Sequence, residues 1–233
     1  SHAAAGNANF GYTAGGYGGP SNAAMSNINR FDYSNDTANG VEKGPLTYVT
    51  YENAGVGNAD FGYFMGGGNP SPYAFYSKVD RVDYANDTVM ASTKGSLGGP
   101  STRGYMGTAG NPGAGYVGGG TPGPTTSRVD KIDYSNDTAT ATAKGSLTAA
   151  RYAIGGFSAQ DNGMKTPLVL PPRVRFIDNR YEVAAQHVPS GTGYIAGGTP
   201  APAAQSIIDR IDFANDTAEI LTKGPLTVGR WYI

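Results

Sequence analysis

Cysteine is missing from the 233-residue chain, which excludes disulfides, thiolate metal sites and cysteine nucleophiles. Histidine occurs only as His2 and His187, too few for a multi-histidine metal centre. Charge is sparse: 15% of residues are ionised and the formal net charge is −1. With no basic surplus to neutralise a phosphate backbone, nucleic acid is not expected as a partner. No apolar run approaches the ~20 residues of a membrane-spanning helix, so no membrane span is expected. The opening SHAAAGNANF has neither the basic nor the apolar region of a secretory leader, and it lacks an initiator Met. A segment processed or cut from something longer is therefore expected.

Glycine is abundant, at 36 residues, alongside 15 prolines and 16 tyrosines. Tyr, Phe, Val and Ile recur at regular places, unlike the apolar-poor pattern of disorder. The regularity comes from a phrase written four times: RFDYSNDTANGVEKGPL, RVDYANDTVMASTKGSL, KIDYSNDTATATAKGSL and RIDFANDTAEILTKGPL. Its opening residues, Arg30, Arg81, Lys131 and Arg210, are spaced by 51, 50 and 79. Before each phrase comes a Gly-Tyr step running into glycines: GYTAGG, GYFMGGG, GYVGGG and GYIAGG. The unit is thus about 50 residues long, with one copy enlarged by an insertion at about 158–187. Running from Arg210 through the C-terminus and on from Ser1 to Arg30 gives a further interval of 53, as in a ring cut once.

Within a unit, VDKIDY alternates with period two, SND supplies turn formers, and TATATA reads as a Thr-rich strand. GYVGGG is a further strand ended by glycines, and the Arg-Tyr/Trp segment after KG[PS]L is expected to be a fourth. Four short antiparallel strands per unit, repeated in a circle, describe an all-β propeller of four recognisable units in a single domain spanning 1–233.

In this order of elements the unit resembles the kelch repeat. The family's glycine pair corresponds to Gly15 and Gly16, Gly66 and Gly67, Gly118 and Gly119, and Gly197 and Gly198. Its blade-closing arginine matches Arg151 and Arg230; Arg103 is displaced, and Thr50 stands in its place in the first unit. The family's usual tryptophan after the turn is absent. The wording of the phrase is also similar to kelch-like repeats in phage and algal-virus structural proteins. That resemblance implies a virion, fibre or tail component at an extracellular or virion surface.

The recurrent Asp-aromatic-Ser/Ala-Asn-Asp core offers hard oxygen ligands for calcium. A hairpin turn is the favoured reading, because the spacing lacks the Gly and distal Glu of an EF-hand loop and recurs in every unit. Each basic residue opening the phrase is expected to tie to a carboxylate on its own or an adjacent blade. The glycine pairs lack the Lys-Ser/Thr and following helix of a phosphate cradle; close backbone packing near the axis explains them better. No Ser/His/Asp constellation stands out, and the paired carboxylates lie mainly in repeated turns. No catalysis, metal or cofactor is expected.

Candidate binding residues therefore come from what is not repeated. Tyr73, Phe75 and Tyr76 lie in a variable, Pro-restricted loop and could stack on a sugar or a partner. The insertion contains RVRFI-DN-RYEV, read as an extra hairpin carrying Arg173, Arg175, Arg180 and Tyr181. The expected function is a non-enzymatic structural or adhesion module whose partners are other structural subunits, with a homo-oligomer among the options, or host-surface glycans. A lectin-like cellular propeller and a glycan-processing enzyme are the alternatives.

Overall fold

The alternating phrases fold as hairpins because each places apolar and polar side chains on opposite faces of a strand. A computed structural model describes residues 2–18, 23–99, 102–121, 124–158, 174–177, 180–183, 191–199 and 204–230. Its described residues form four antiparallel sheets of four strands in chain order, with a two-stranded ribbon inserted between the strands of three of them. Blade 1 contains Ala3–Gly6, Phe10–Ala14, Ile28–Asp32 and Val41–Lys43. Blade 2 contains Ala54–Gly57, Phe61–Met65, Val79–Asp83 and Ser92–Thr93. Blade 3 contains Gly107–Asn111, Ala114–Gly118, Val129–Asp133 and Thr142–Ala143. Blade 4 contains Gly155–Ser158, Thr192–Ala196, Ile208–Asp212 and Leu221–Thr222. The first strands of successive blades pack side by side, with Thr108 Oγ1 donating to the Gly55 carbonyl at 2.7 Å. This is a four-bladed β-propeller, as the repeat arithmetic anticipates.

Two details differ from the sequence reading. The Thr-rich stretch is mostly turn: the Asp133 side chain accepts from the Ser135 amide and starts a short 3-10 turn at Tyr134–Asn136. Only Thr142–Ala143 is left as strand. The Arg-Tyr segment is not a fourth strand of its own unit either. It crosses to the next blade through Ala153, at φ 53, a left-handed conformation that breaks extended backbone. The strand that follows, from Gly155, then becomes the first of blade 4.

The cores lie between blades. One joins Tyr12, Ile28 and Leu46 of blade 1 to Phe64, Val82 and Tyr84 of blade 2. A second joins Tyr63, Val79 and Leu97 to Val117, Ile132 and Ala141. A third joins Tyr116, Val129 and Leu147 to Ile195, Ile211 and Ile220. Period-two strands make this possible, since the third strands of blades 2 and 3 carry apolar residues on both faces, Val79 and Val82 in one and Val129 and Ile132 in the other, all buried.

The Gly-Tyr step acquires a physical reason here. A Cβ at Gly62 would lie 2.7 Å from Tyr84 Oη, in the same blade. The absent side chain leaves room for that ring, while the neighbouring Tyr63 crosses to blade 3. There it stacks on Tyr134 with centroids 4.7 Å apart, as Tyr12 stacks on Tyr84 and Tyr116 on Phe213. The glycine pair at the strand end is Gly119–Gly120 in blade 3, one residue later than the sequence alignment placed it. Gly119 has φ 68, and its Cβ would lie 2.5 Å from the Arg151 carbonyl. Close backbone packing accounts for these glycines.

The ties between blades follow one rule. In blade 3, Asp137 accepts from Tyr63 Oη at 3.0 Å and pairs with Arg81 at 2.7 Å and Lys94 at 3.4 Å, all from blade 2. Asp87 receives Tyr12, Arg30 and Lys43; Asp216 receives Tyr116, Lys131 and Lys144. The basic residues of the first three phrases, Arg30, Arg81 and Lys131, thus reach an adjacent blade, as expected, whereas among the described residues Arg210 of the fourth does not. Each acceptor is the second carboxylate of the next blade's phrase, because the first one is occupied capping its own turn.

Candidate ligand-binding face

Where the chain crosses from blade to blade it turns through left-handed residues that are not glycine: Glu52 at φ 57, Tyr105 at φ 59 and Ala153 at φ 53. Each conformation costs roughly 1–2 kcal/mol for an L-residue, and such strain gathers at functional faces. A backbone stair holds them: the Tyr105 amide donates to the Glu52 carbonyl and the Ala153 amide to the Tyr105 carbonyl, both at 2.9 Å. The stair brings equivalent positions of blades 2, 3 and 4 together.

Three aromatic pairs lie along it. Tyr17 of blade 1 meets Tyr51 with ring centroids 5.8 Å apart. Tyr51 is adjacent to Glu52 in the chain, and burial raises its hydroxyl above the ordinary range. Tyr73 meets Phe75 edge-on at 5.5 Å, and the Phe75 ring covers Gly104, where a Cβ would lie 2.7 Å from it. Tyr105 follows, meeting Tyr152 edge-on at 5.8 Å. The result is a band of five tyrosines across all four blades. Tyr73 is its most exposed member at 71%, and Tyr51, Tyr105 and Tyr152 are half-buried.

Glu52 sits in the middle of this band. Burial raises its carboxyl above the ordinary range, and a hydrogen bond from Tyr105 opposes that shift in part. Its Oε2 is buried without a hydrogen-bond partner. Such an oxygen can accept from a ligand hydroxyl, and the surrounding rings offer flat apolar faces with polar edges.

A polar cleft of about 400 Å³ lies on blade 3, lined by Thr121, Thr126, Ser127, Arg128 and Lys144 with Arg103 beneath. Arg103 donates to Asp130 at 2.5 Å, and Arg128 pairs with the same carboxylate at 2.7 Å. Arg151 repeats the Arg103 arrangement in blade 4, reaching Asp209 at 2.9 Å and the Ile195 carbonyl at 3.2 Å. Arg103 is therefore in register with Arg151, not displaced as the sequence alignment had it. The extra residues in its loop are absorbed before it. Thr50 does occupy the equivalent place in the crossing to blade 2, donating to the Gly66 carbonyl at 3.0 Å.

The sequence candidates are distributed unevenly. Tyr73 and Phe75 belong to the aromatic band, on a hairpin strand Tyr73–Phe75. Tyr76 turns away and packs edge-on against Tyr48 at 5.2 Å. Arg175, Arg180 and Tyr181 lie on an antiparallel pair, Val174–Ile177 with Arg180–Val183, in which Arg175 is in register with Glu182 and Ile177 with Arg180. Arg173 lies outside the described residues. Tyr17, Tyr51, Glu52, Tyr105 and Tyr152 were not singled out from sequence. The available signal was positional, since Tyr51 and Tyr152 directly follow the blade-crossing residues Thr50 and Arg151.

No protein-family model matches the chain, and no curated protein matches it. Solved structures do, 182 chains among them. The structure of YjhT superposes with a TM-score of 0.70 at 11% identity, covering 99% of this chain and 72% of that one. The likeness is one of fold alone. A propeller hosts many unrelated chemistries, so function is argued from the site.

Proposed function

We propose that the chain is a kelch-like propeller serving as a non-enzymatic adhesion module, which binds glycans through its tyrosine band at an extracellular or virion surface. The observation that carries this reading is the clustering of Tyr17, Tyr51, Tyr73, Tyr105 and Tyr152 near the half-buried Glu52. Tyrosine supplies a large rigid contact with little rotamer entropy to lose, and its ring suits the apolar face of a sugar while its hydroxyl meets the rim. Repetition across blades suits several weak contacts acting together. The resemblance of the phrase to viral structural repeats supports a particle or fibre as its setting.

A glycan array tests the proposal. Binding by the wild type that is lost in both Tyr73→Ala and Tyr105→Ala, with unfolding midpoints unchanged in Tyr73→Ala, is the expected result. Binding that survives both substitutions would place the site elsewhere. Turnover of a bound glycan that disappears in Glu52→Gln would replace the adhesion reading with an enzymatic one.

A further inference from the structure

Three inter-blade contacts are made to one pattern, and the described residues leave the two halves of a fourth without a partner. Blade 4 carries the donor set in Tyr194, Arg210 and Lys223, the counterparts of Tyr63, Arg81 and Lys94. Among the described residues none of the three side chains makes a hydrogen bond or an ion pair, and the Tyr194 ring stacks on Phe157 of its own blade, with centroids 5.2 Å apart. Tyr12, Tyr63 and Tyr116 are almost fully buried, whereas Tyr194 is only half-buried. Leu226 is also half-covered, although Leu46, Leu97 and Leu147 are buried. Arg230 is exposed, although its counterparts Arg103 and Arg151 are sealed inside the next blade.

Blade 1 carries the receiving set. Asp36, the counterpart of Asp87, Asp137 and Asp216, is exposed and holds no cation. Tyr33 is 56% exposed, where Tyr84 at the same place in blade 2 is 8% exposed. Phe31 is 41% exposed, where Val82, Ile132 and Ile211 are buried. A shallow groove lined by Ala5, Gly11, Thr13, Phe31 and Tyr33 lies on this face. Asn29 replaces the buried aspartates of the other three blades, leaving a neutral acceptor where Arg230 would arrive.

We infer that the blade 4 face of one copy docks on the blade 1 face of a second copy, head to tail, by the same contacts that join successive blades. Arg210 and Lys223 meet Asp36, Tyr33 packs against the Tyr194–Phe157 pair, and Leu226 covers Phe31. A surface that merely capped the array would be expected to lose these groups, yet blade 1 keeps its aromatic and its acceptor. The interface is heterologous, so it propagates into a ring or a filament according to the rotation per copy. It rests on the repeat contacts alone and is independent of the glycan reading.

Sedimentation analysis with two single-ended variants tests this. Asp36→Arg blocks the receiving end, and Leu226→Arg blocks the donor end without introducing an acidic group that the first variant could pair with. The wild type is expected to gain mass with concentration and to lose it with added salt. Each variant alone is expected to remain monomeric at every concentration. Their equimolar mixture retains one intact donor face and one intact receiving face, and it is expected to give a species of twice the monomer mass. Thermal unfolding of each variant in dilute solution, matching the wild type, confirms that both fold. A wild type that stays monomeric, variants that associate as the wild type does, or a mixture that stays monomeric would each overturn the inference.

Discussion

Replacing Asp137 with Asn probes the inter-blade ties most directly. The carboxylate is 8% exposed and holds two cations, Arg81 and Lys94, whose side chains are 25% and 14% exposed. Asn preserves the size and can accept one bond, from Tyr63 or from a cation, but both cations lose their counter-charge. Breaking a buried pair by removing one partner costs about 3–5 kcal/mol. Both cations retain some contact with water, which screens part of this and leaves about 2–3 kcal/mol. For a chain of this size that corresponds to a fall in midpoint of roughly 4–12 °C.

Urea unfolding in dilute solution, below the range of any self-association, measures it. Asp36→Asn is the matched control: it is the same residue of the same phrase, but exposed and without a cation. It is expected to change stability by less than about 0.5 kcal/mol. A double-mutant cycle of Asp137→Asn with Arg81→Met should show a coupling of about 1 kcal/mol or more. Equal costs for Asp137→Asn and Asp36→Asn would refute the assignment of these ties to the blade interfaces.

Two further predictions follow the same contrast between buried and open copies of one position. Arg151→Met, of similar volume, strands the fully buried Asp209 with only Thr148 to satisfy it and is expected to cost about 3 kcal/mol. Arg230→Met, at the exposed counterpart, should leave the urea midpoint unchanged. Stability should also fall in acid. Burial raises the Asp216 carboxyl, but bonds from Tyr116, Lys144 and Lys131 outweigh it and hold the pKa below its ordinary value. A carboxylate lowered in the folded state stabilises above the unfolded value near 3.9 and loses that contribution as pH falls through the folded value. The urea midpoint should therefore drop below about pH 4, and less steeply in Asp216→Asn; identical slopes in the two proteins would count against the assignment.

The repeat arithmetic led to the propeller because period, strand length and turn chemistry agree in every copy. The division of labour inside the phrase was less legible. Asp133 and Asp137 are chemically alike, and spacing alone does not show that the first caps its own turn while the second receives a neighbouring blade. Register errors of one residue, as at Gly118, arose because runs of three glycines have no side chain to fix the alignment. Arg103 was misplaced for a related reason, since its loop is longer than that before Arg151.

The candidate binding face divides in the same way. Tyr73 and Phe75 could be picked out because they sit in a variable loop. Glu52, Tyr105 and Tyr152 could not, because they lie about 50 residues apart and resemble ordinary strand-end residues until the left-handed crossings bring them together.

The sequence by itself determined the unit, the number of blades and the polar character of their ties, because these depend on local patterning repeated four times. Only the tertiary structure decided which copy of each residue is buried. That depends on whether a neighbouring blade is present, and blades 1 and 4 each have a face that the described residues leave open.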